Sequence, residues 1–469
     1  MSSTASIARS LILAIVALVP AAARAADRPP NLIVILADDL GYADVGFQGA
    51  RDIPTPRLDA LARAGVRCTA GYVSHPFCSP TRAGLLTGRY QQRFGHENNP
   101  AYLPNDAAVG LPLDRKTIAD TLRAAGYATG AVGKWHLGAH PSFHPLRRGF
   151  DEWFGLIGGG HRYFDHNRFQ TDPQAARQEY LIPLQRGTEP VAAEGYLTDL
   201  ITREAVGFIE RHTDRPFFLY LAYNAPHTPL EAPPRLLERV ASISDPKRKT
   251  YAAMVCGVDD GVGAVLDALR AKGIERDTLI VFLSDNGGPI SVTNCSNAPL
   301  AGAKGTLFEG GIRVPFVVHY PAKLAPGTFD RPVSSLDLHP TFAALAGKPL
   351  APGASDGVDL LPHLAKTADK PLERDLFWRA DGGKRFAIRS GDLKYVVNRD
   401  SPEKLFDLAA DIGETRDLFT ERPDDVARLR ARYAAWNADN IAPLWSNPAP
   451  APAKKAATKK AAAKKAAQP

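Results

Sequence analysis

Four short apolar runs, each followed by polar side chains, constrain the fold of this chain more than any other feature. Segments with helical patterns separate the runs, and strands that alternate with helices are typical of α/β proteins with a largely parallel sheet. In such sheets, ligands bind beyond the carboxyl ends of the strands. Any one of the polar stretches suits an ordinary turn, but four together predict a site at that edge. The runs cover residues 31–37, 127–133, 217–223 and 278–284.

The polar residues at two of these strand ends suit a hard metal ion. Asp38 and Asp39 follow the first run, and Asp285 and Asn286 follow the last. Carboxylate and amide oxygens favour Ca²⁺ or Mg²⁺ over zinc or copper. Three clustered carboxylates would also repel one another without a cation. We therefore expect these residues to bind a divalent metal.

Basic residues and histidines accompany the carboxylates in the sequence. Arg82, Lys134 and Lys304 carry positive charge. His136 and His227 have side chains that exchange protons near neutral pH. A metal, several cations and two histidines together predict a pocket for a tetrahedral oxyanion ester.

Cys78 lies in the stretch SHPFCSPTRAGLLTGR, residues 74–89, which contains signals for the start and the end of a helix. Ser79 is a good N-cap, Pro80 suits the first helical position, and Gly88 predicts the end. Cys78 would then lie at the positive end of the helix, where an anion binds favourably. These residues alone leave two hypotheses open: an inert buried cysteine, as most free cysteines are, or a member of an anion site.

The two ends of the chain have compositions unlike that of a folded domain. Residues 1–25 combine Arg9, an apolar run over 11–19 and a small-residue cleavage signal, as a secretory signal peptide does. The apolar run is too short to span a bilayer, so we expect a periplasmic or secreted protein with no transmembrane anchor. Residues 446–469 are rich in Pro, Ala and Lys and are predicted to be disordered.

The formal net charge of +7 comes mostly from the six lysines of this tail. Without the tail and the signal peptide the body of the protein is nearly neutral, so we expect no nucleic-acid partner. The four cysteines are too few for a disulfide scaffold and match no zinc spacing, although an exported protein could form one bridge.

Further motifs make the chain similar to a known family. CSPTR at 78–82, followed by AGLLTGR, resembles the signature of the type I sulfatases. The motifs ADDLGYADVGFQG, GKWHLG, YNAPHTPL, SDNGG and KGTLFEGGIRVPF also occur in the order of that family, and the resemblance covers residues 31–420. It implies an alkaline-phosphatase-like α/β fold, with a mixed, largely parallel sheet flanked by helices and a smaller C-terminal domain on an antiparallel sheet. We expect a catalytic domain over 26–348 and the smaller domain over 349–445.

The resemblance also implies how Cys78 acts. In the family, a formylglycine-generating or anaerobic sulfatase-maturating enzyme converts the motif cysteine to Cα-formylglycine, guided by the Pro and Arg of the motif. The hydrated aldehyde attacks sulfur and expels the alcohol, which leaves a covalent sulfo-enzyme intermediate. The second hydroxyl of the hydrate then ejects sulfate, a release step that an unmodified serine would lack.

Site roles implied by the resemblance carry over to matching residues of this chain. Arg82 would orient the nucleophile, while Lys134 and Lys304 would hold sulfate oxygens. Lys304 or His227 would protonate the leaving alcohol, and His136 resembles the base that helps to collapse the sulfated intermediate. The resemblance implies Ca²⁺, with Mg²⁺ as the second choice, bound by Asp38, Asp39, Asp285, Asn286 and the group derived from Cys78.

The implied substrate is a sulfated carbohydrate or small molecule. Residues 88–100 and 309–316 resemble segments of secreted bacterial arylsulfatases and of N-acetylgalactosamine sulfatases. His161 stands near a position where some relatives place a serine in the sulfate pocket, so it is either a substrate contact or a structural residue. Two other functions stay open: a phosphodiesterase or phosphonate monoester hydrolase of the same superfamily, and an unmodified, non-catalytic binder of sulfated glycans.

Overall fold

The structure is a computed structural model and describes residues 28–172, 174 and 178–446. The predicted signal peptide, residues 1–25, and the lysine-rich tail from residue 447 onward lie outside the described residues. Among the helices that are described, none has both the length and the apolar sequence needed to cross a lipid bilayer.

The predicted apolar runs form four buried strands. The strands of the described chain are β1 (Asn31–Ala37), β2 (Val66–Cys68), β3 (Gly71–Tyr72), β4 (Ala128–Lys134), β5 (Glu152–Leu156), β6 (Gln185–Arg186), β7 (Glu189–Pro190), β8 (Phe217–Ala222), β9 (Thr278–Ser284), β10 (Phe316–His319), β11 (Gly327–Phe329), β12 (Val333–Ser334), β13 (Asp375–Ala380), β14 (Arg385–Ser390), β15 (Leu393–Val397) and β16 (Lys404–Asp407). Every residue of β1, β4, β8 and β9 is buried. Strand β4 begins and ends one residue later than predicted, so Lys134 is its last residue.

Most of the strands pair in one large sheet. Within the described residues it has ten strands, in the order β11-β2-β10-β9-β1-β8-β4-β5-β6-β7. The five strands from β9 to β5 are parallel to one another, whereas β10 is antiparallel to both β9 and β2. Ala37 pairs with Ser284, and Leu36 pairs with Ala222, so three strands end side by side. The sheet is therefore mixed and largely parallel, as expected.

Helices cover both faces of this sheet because its central strands are apolar on both faces. The helices are α1 (Pro56–Ala64), α2 (Cys78–Thr87), α3 (Ile118–Ala124), α4 (Arg168–Thr171), α5 (Leu197–Arg211), α6 (Pro234–Arg239), α7 (Pro246–Ala271), α8 (Ile290–Thr293), α9 (Glu309–Ile312), α10 (Leu338–Leu345), α11 (Leu361–Leu364) and α12 (Pro423–Asn437). Ile33 and Ile35 pack in a core with α1, α5 and α7. Leu32 and Val34 pack on the opposite face with α2, α3 and α10.

A second, smaller sheet follows in the C-terminal part of the chain. Strands β13 to β16 pair antiparallel in chain order. One face packs on α12, where Leu429 contacts a core that includes Tyr395. The other face packs on the large domain, where Trp378 shares a core with Tyr72 and Leu307. The smaller domain on an antiparallel sheet is therefore present.

The segment that joins the two sheets packs with the large domain. Leu360, Leu364 and Leu372 belong to the same core as β1 and α2, although all three lie in the stretch predicted for the smaller domain. Their apolar side chains cover the large sheet before the chain reaches β13.

Candidate active site

The carboxyl ends of β1 and β9 place four polar side chains together. Asp38 and Asp39 follow β1, while Asp285 and Asn286 follow its neighbour β9. One atom from each of Asp38, Asp39, Cys78 and Asp285 lies within 4.8 Å of the others, and all four side chains are buried. Asp39 has a φ of 67°, a left-handed conformation that few residues other than glycine adopt. Such strain is typical of a functional site.

Asn286 leaves one oxygen atom without a hydrogen bond inside this cluster. Its Nδ2 donates to Asp39 Oδ1 at 2.7 Å and to the Gly287 carbonyl oxygen at 3.0 Å. Its Oδ1 is buried and has no partner among the described residues. A buried oxygen without a partner costs free energy unless it binds a ligand. An amide oxygen beside three carboxylates therefore fits a hard divalent cation.

Cys78 is the first residue of α2 and faces the carboxylates. Its Sγ lies 3.6 Å from Asp38 Oδ1 and 3.2 Å from Lys304 Nζ. Burial raises the pKa of the Cys78 thiol to about 12, although Lys134 and Lys304 lower it. The unmodified thiol is therefore protonated at neutral pH and is a weak nucleophile, because the thiolate is the reactive form.

The start of α2 differs from the sequence prediction. Phe77, not Ser79, occupies the N-cap position, and its side chain makes no capping hydrogen bond. The Ser79 hydroxyl instead donates to the His136 carbonyl oxygen at 2.5 Å and lies 2.7 Å from His96 Nε2. This hydroxyl therefore ties the helix to the loop after β4. The predicted end of the helix is confirmed, since Gly88 has a φ of 68°.

Arg82 links the helix to two strand ends. Its Nε and Nη2 donate to Asp285 Oδ2 at 3.1 and 2.8 Å, and its Nη1 donates to the Lys134 carbonyl oxygen at 3.0 Å. The side chain is fully buried. Arg82 thus holds Asp285 and the end of β4 in a fixed relation to Cys78.

Two lysines pair with the remaining carboxylates. Lys134 Nζ contacts Asp38 Oδ2, and Lys304 Nζ donates to Asp39 Oδ1 at 2.6 Å. Burial alone would raise the pKa of Asp39, but Lys304 and His227 lower it to about 2. Burial alone would lower the pKa of Lys304, but Asp39 and Cys78 hold it well above its ordinary value. Both side chains are therefore charged at neutral pH.

Opposite charges balance within the buried cluster. Its carboxylates and its cationic side chains are equal in number: Asp38, Asp39 and Asp285 on one side, Arg82, Lys134 and Lys304 on the other. A divalent cation would leave the cluster with an excess of positive charge. Such an excess would attract an anionic ester into the site.

The two histidines border the cluster. His227 Nδ1 lies 2.7 Å from the Thr228 carbonyl oxygen, which places its proton on Nδ1 and leaves Nε2 free, 3.7 Å from Asp39 Oδ2. His136 has a φ of 60°, and its Nδ1 has no hydrogen-bond partner among the described residues. Burial lowers the pKa of His227 to about 3 and that of His136 well below its ordinary value. Without an anionic ligand, both rings are therefore neutral.

His161 has both ring nitrogens against backbone oxygens. The ring is fully buried, with Nδ1 2.6 Å from the Arg162 carbonyl oxygen and Nε2 2.8 Å from the Ile182 carbonyl oxygen. Of the two roles that the sequence left open, these contacts favour the structural one. The ring instead joins the loop after β5 to the segment near Ile182.

One contact to the site comes from the smaller domain and has no signal in the sequence. Arg385, the first residue of β14, donates from Nη1 to the Gly305 carbonyl oxygen at 2.6 Å. Asp381 Oδ2 accepts from Arg385 Nε at 2.7 Å and holds the guanidinium in place. Gly305 N also donates to the Pro76 carbonyl oxygen at 3.0 Å. The smaller domain thus supports the loop that carries Lys304, 81 positions earlier in the chain than Arg385.

This geometry is typical of metal-dependent hydrolases that act on oxyanion esters. The model of the family described as Sulfatase matches residues 30–348. The chain therefore belongs to the sulfatase family, whose members are sulfuric ester hydrolases.

Individual relatives agree with this assignment. The chain is 37% identical to the N-acetylgalactosamine-6-sulfatase of Mus musculus over 406 aligned residues. This alignment covers 82% of this chain and 75% of the relative. It is also 37% identical over 454 residues to the arylsulfatase A of Homo sapiens, with 88% of this chain and 86% of the relative covered. The solved structure of Ps i-CgsB in complex with k-i-k-neocarrahexaose is 41% identical, covers 89% of this chain and 95% of that chain, and has a TM-score of 0.84.

Proposed function

We propose that this enzyme hydrolyses sulfate monoesters on carbohydrates, with a formylglycine made from Cys78 as nucleophile and Ca²⁺ as metal. The observation that carries the proposal is that three buried carboxylates meet at Cys78 together with Asn286, whose Oδ1 accepts no hydrogen bond from any described residue. Hard oxygens in this number suit Ca²⁺, which tolerates irregular coordination, better than Mg²⁺. Ca²⁺ would be held by Asp38, Asp39, Asp285 and Asn286, and when bound it supplies positive charge to a sulfate oxygen.

Conversion of Cys78 to formylglycine would replace a weak nucleophile, the buried thiol, with a better one. A buried thiol whose pKa is raised to about 12 is a poor nucleophile, whereas the hydrated aldehyde offers one hydroxyl for attack and a second for release. The CSPTR sequence at 78–82 contains the Pro and Arg that would guide a formylglycine-generating or anaerobic sulfatase-maturating enzyme. That enzyme is therefore the partner we expect during biogenesis.

The cationic side chains of this chain bind and orient the reacting groups. Lys304 Nζ lies 3.2 Å from Cys78 Sγ, and Lys134 is paired with Asp38, which also contacts Cys78. Beside Cys78 the two ammonium groups would hold sulfate oxygens and stabilise negative charge. The Arg82 guanidinium is occupied by protein contacts, since it donates hydrogen bonds to Asp285 and to the Lys134 carbonyl oxygen. It would therefore orient the nucleophile by fixing the residues around it.

Proton transfer falls to Lys304, His227 and His136. Lys304 is protonated in the free site, whereas His227 would gain a proton only when an anionic ester adds negative charge beside it. Either side chain then protonates the leaving alcohol. His136 is neutral and has an unpaired Nδ1, so it is suited to accept a proton during sulfate release.

The relatives favour a carbohydrate substrate. One is named for N-acetylgalactosamine 6-sulfate hydrolysis, and another was solved with a bound hexaose. The predicted signal peptide favours a periplasmic or secreted location, where such glycans are encountered. His161 would serve the substrate only indirectly, by holding the loop on which it lies.

Mass spectrometry of the purified protein, combined with two matched assays, tests the proposal. The peptide containing Cys78 should carry the aldehyde or its hydrate, while the peptides containing Cys68, Cys256 and Cys295 should keep their thiols as internal controls. The same preparation should release sulfate from 4-nitrophenyl sulfate faster than phosphate from 4-nitrophenyl phosphate. The Cys78→Ser variant should lose turnover, because serine lacks the second hydroxyl.

Three outcomes would contradict the proposal. A strong preference for the phosphate ester would favour the phosphodiesterase or phosphonate hydrolase function. An unmodified Cys78 in protein that hydrolyses sulfate would refute the formylglycine mechanism. An unmodified Cys78 in inactive protein that still binds sulfated glycans would favour the non-catalytic binder.

A further inference from the structure

A cavity of about 420 Å³ opens next to His227 and has no part in the chemistry above. Cavities of this size hold small ligands, and those that bind them combine aromatic surface with a few polar groups. The lining here includes Arg162, Glu179, Tyr180 and Thr228. The cavity therefore has the composition of a binding site, and Thr228 in its wall directly follows His227 of the candidate active site.

Tyr180 supplies the aromatic surface. Its side chain is 37% exposed, an unusual state for a large aromatic residue next to a buried histidine. The Tyr180 ring is nearly parallel to the His227 ring, with an angle of 23° and 6.3 Å between centroids. The C–H groups on the face of a pyranose pack well on such an exposed ring.

The glycines before His161 make room for this ring. A Cβ at Gly160 would lie 2.6 Å from one ring carbon of Tyr180, far closer than real contacts allow. Gly159 N donates to Glu179 Oε1 at 2.8 Å, which fixes the backbone beside the ring. A side chain at Gly160 would therefore displace the Tyr180 ring.

The charges around the cavity favour an uncharged ligand. Arg162 is paired with Glu231, whose Oε2 also accepts from Tyr163 N at 2.8 Å. Glu179 adds a carboxylate to the same lining as Arg162. One guanidinium and one carboxylate can both bond hydroxyl groups, but their opposite charges offer no net attraction for a second sulfate.

We propose that this cavity binds the sugar ring that carries the scissile sulfate. The uncharged pyranose packs on Tyr180, and its hydroxyls bond to Arg162 and Glu179, while the sulfate enters the site beyond His227. The inference rests on the proposed function for the identity of the reacting group. Sugar binding itself requires no turnover, so the two can fail separately.

The test uses four variants. Tyr180→Ala and Gly160→Ser disturb the aromatic surface of the cavity, whereas Tyr180→Phe and Phe164→Ala are controls. Phe164 is the control, since it is 48% exposed and packs against Tyr196, with 5.3 Å between ring centroids, but does not line the cavity. Full-length protein is titrated calorimetrically with N-acetylgalactosamine 6-sulfate, its desulfated sugar and k-i-k-neocarrahexaose, and KM and kcat are measured for both sulfated sugars. Inhibition by inorganic sulfate reports whether the sulfate pocket is intact.

Tyr180→Ala and Gly160→Ser should weaken sugar binding and raise KM by roughly tenfold, with inhibition by sulfate unchanged. Tyr180→Phe, which keeps the ring, and Phe164→Ala should behave like the wild type. Absence of sugar binding by the wild type, or equal effects of Tyr180→Ala and Phe164→Ala, would overturn the subsite. Sugar binding that depends on Tyr180, without release of sulfate, would support the subsite and refute the proposed function. Release of sulfate with an unchanged KM in Tyr180→Ala would support the proposed function and refute the subsite.

Discussion

Two of the buried charged clusters in the described part of the chain invite comparison, one at the candidate active site and one where the two domains meet. The site cluster consists of Asp38, Asp39, Asp285, Arg82, Lys134 and Lys304. The interdomain cluster consists of Glu309, Glu414, Lys394, Arg313 and Tyr72. Both pair buried lysines with carboxylates, and both are nearly closed to solvent. The two clusters differ in whether polar atoms beside a nucleophile are left without a hydrogen bond.

The interdomain cluster is closed around its own charges. Lys394 Nζ lies 2.9 Å from Glu309 Oε1 and 2.8 Å from Glu414 Oε1, and the Tyr72 hydroxyl donates to Glu309 Oε2 at 2.5 Å. Lys394 belongs to β15 of the smaller domain, while Glu309 begins α9 of the large domain. The cluster therefore joins the two domains through charges that are paired with one another.

The site cluster keeps capacity for a ligand. Asn286 Oδ1 and His136 Nδ1 are buried beside it and have no hydrogen-bond partner among the described residues. Asp39 and His136 are at positive φ, but so is Glu414 of the interdomain cluster, at 53°. The comparison teaches that neither buried charge nor backbone strain by itself identifies a catalytic site, because paired charges also serve structure. The site cluster differs because Asn286 Oδ1 and His136 Nδ1, which have no hydrogen-bond partner in the described chain, lie close to the nucleophile Cys78.

Removal of the metal should have the largest effect and should act on the site cluster alone. A chelator should lower sulfate release by about 10²-fold or more, because the metal contributes several kcal/mol of charge stabilisation. Adding back Ca²⁺ should restore activity better than Mg²⁺ does. Ca²⁺ at a hundredfold excess over its Kd should stabilise the fold by about 2.7 kcal/mol, measured by thermal unfolding.

The Lys394→Met variant is the matched control for metal removal. It should gain the same stabilisation from Ca²⁺ as the wild type, because its substitution lies in the interdomain cluster. Full activity in chelated protein that metal analysis shows to be free of divalent ions would contradict the metal site.

Substitution of Lys304 should affect mainly activity, whereas substitution of Lys394 should affect mainly stability. Lys304→Met should lower kcat/KM by roughly 10²–10³-fold, because it removes a cation from the sulfate pocket, and should change stability little when Ca²⁺ is bound. Lys394→Met should destabilise the fold by about 3–5 kcal/mol, because it leaves two carboxylates without their shared partner. Its activity per folded molecule should match that of the wild type. Urea unfolding and steady-state kinetics of both variants measure these effects.

Activity is compared under conditions in which both variants are fully folded. If Lys394→Met then lost activity as severely as Lys304→Met, the interdomain cluster would be part of the catalytic machinery. If both variants changed stability alone, the site cluster would be structural too.

Acid should weaken the interdomain cluster through Glu309, and this is the smallest of the expected effects. Burial alone would raise the pKa of Glu309, but Lys394 and Arg313 lower it from 4.5 to about 2. Because the unfolded chain binds the proton more readily, the carboxylate stabilises the fold above pH 4.5, and this contribution is lost as pH falls towards about 2. The loss for this group is about 1–3 kcal/mol.

The free energy of unfolding at a series of acidic pH values, compared between wild type and Glu309→Gln, measures this contribution. The variant should be less stable near neutral pH but should lose less stability on acidification. Parallel pH profiles would show that the Glu309 carboxylate does not stabilise the fold.

The strands and many of the site residues could be predicted because their signals are local. An apolar run such as 31–37 and the acidic pair after it can be read without knowing the partners of that strand. The start of α2 was predicted less well, because the Ser79 hydroxyl bonds to the loop after β4 rather than to its own helix. His161 raised a similar difficulty, since its two partners are backbone oxygens that the sequence does not indicate.

Contacts between distant segments had no signal at all. Arg385 supports Gly305 from another domain, and Tyr180 fits against Gly160 across the wall of a cavity. Both depend on how two stretches of chain pack, which a single sequence without partners does not reveal.

Which segments become buried strands, and which polar residues follow them, can be predicted without the fold, because apolar periodicity and chain order are properties of the local chain. The order in which β9, β1, β8 and β4 lie side by side differs from chain order and exists only in the folded protein. That arrangement brings residues 38 and 285 together, and the low polarity of the buried site then decides how strongly their charges act on one another. Side-chain pairing and pKa values depend on such distances and on burial, and both exist only once the chain has folded.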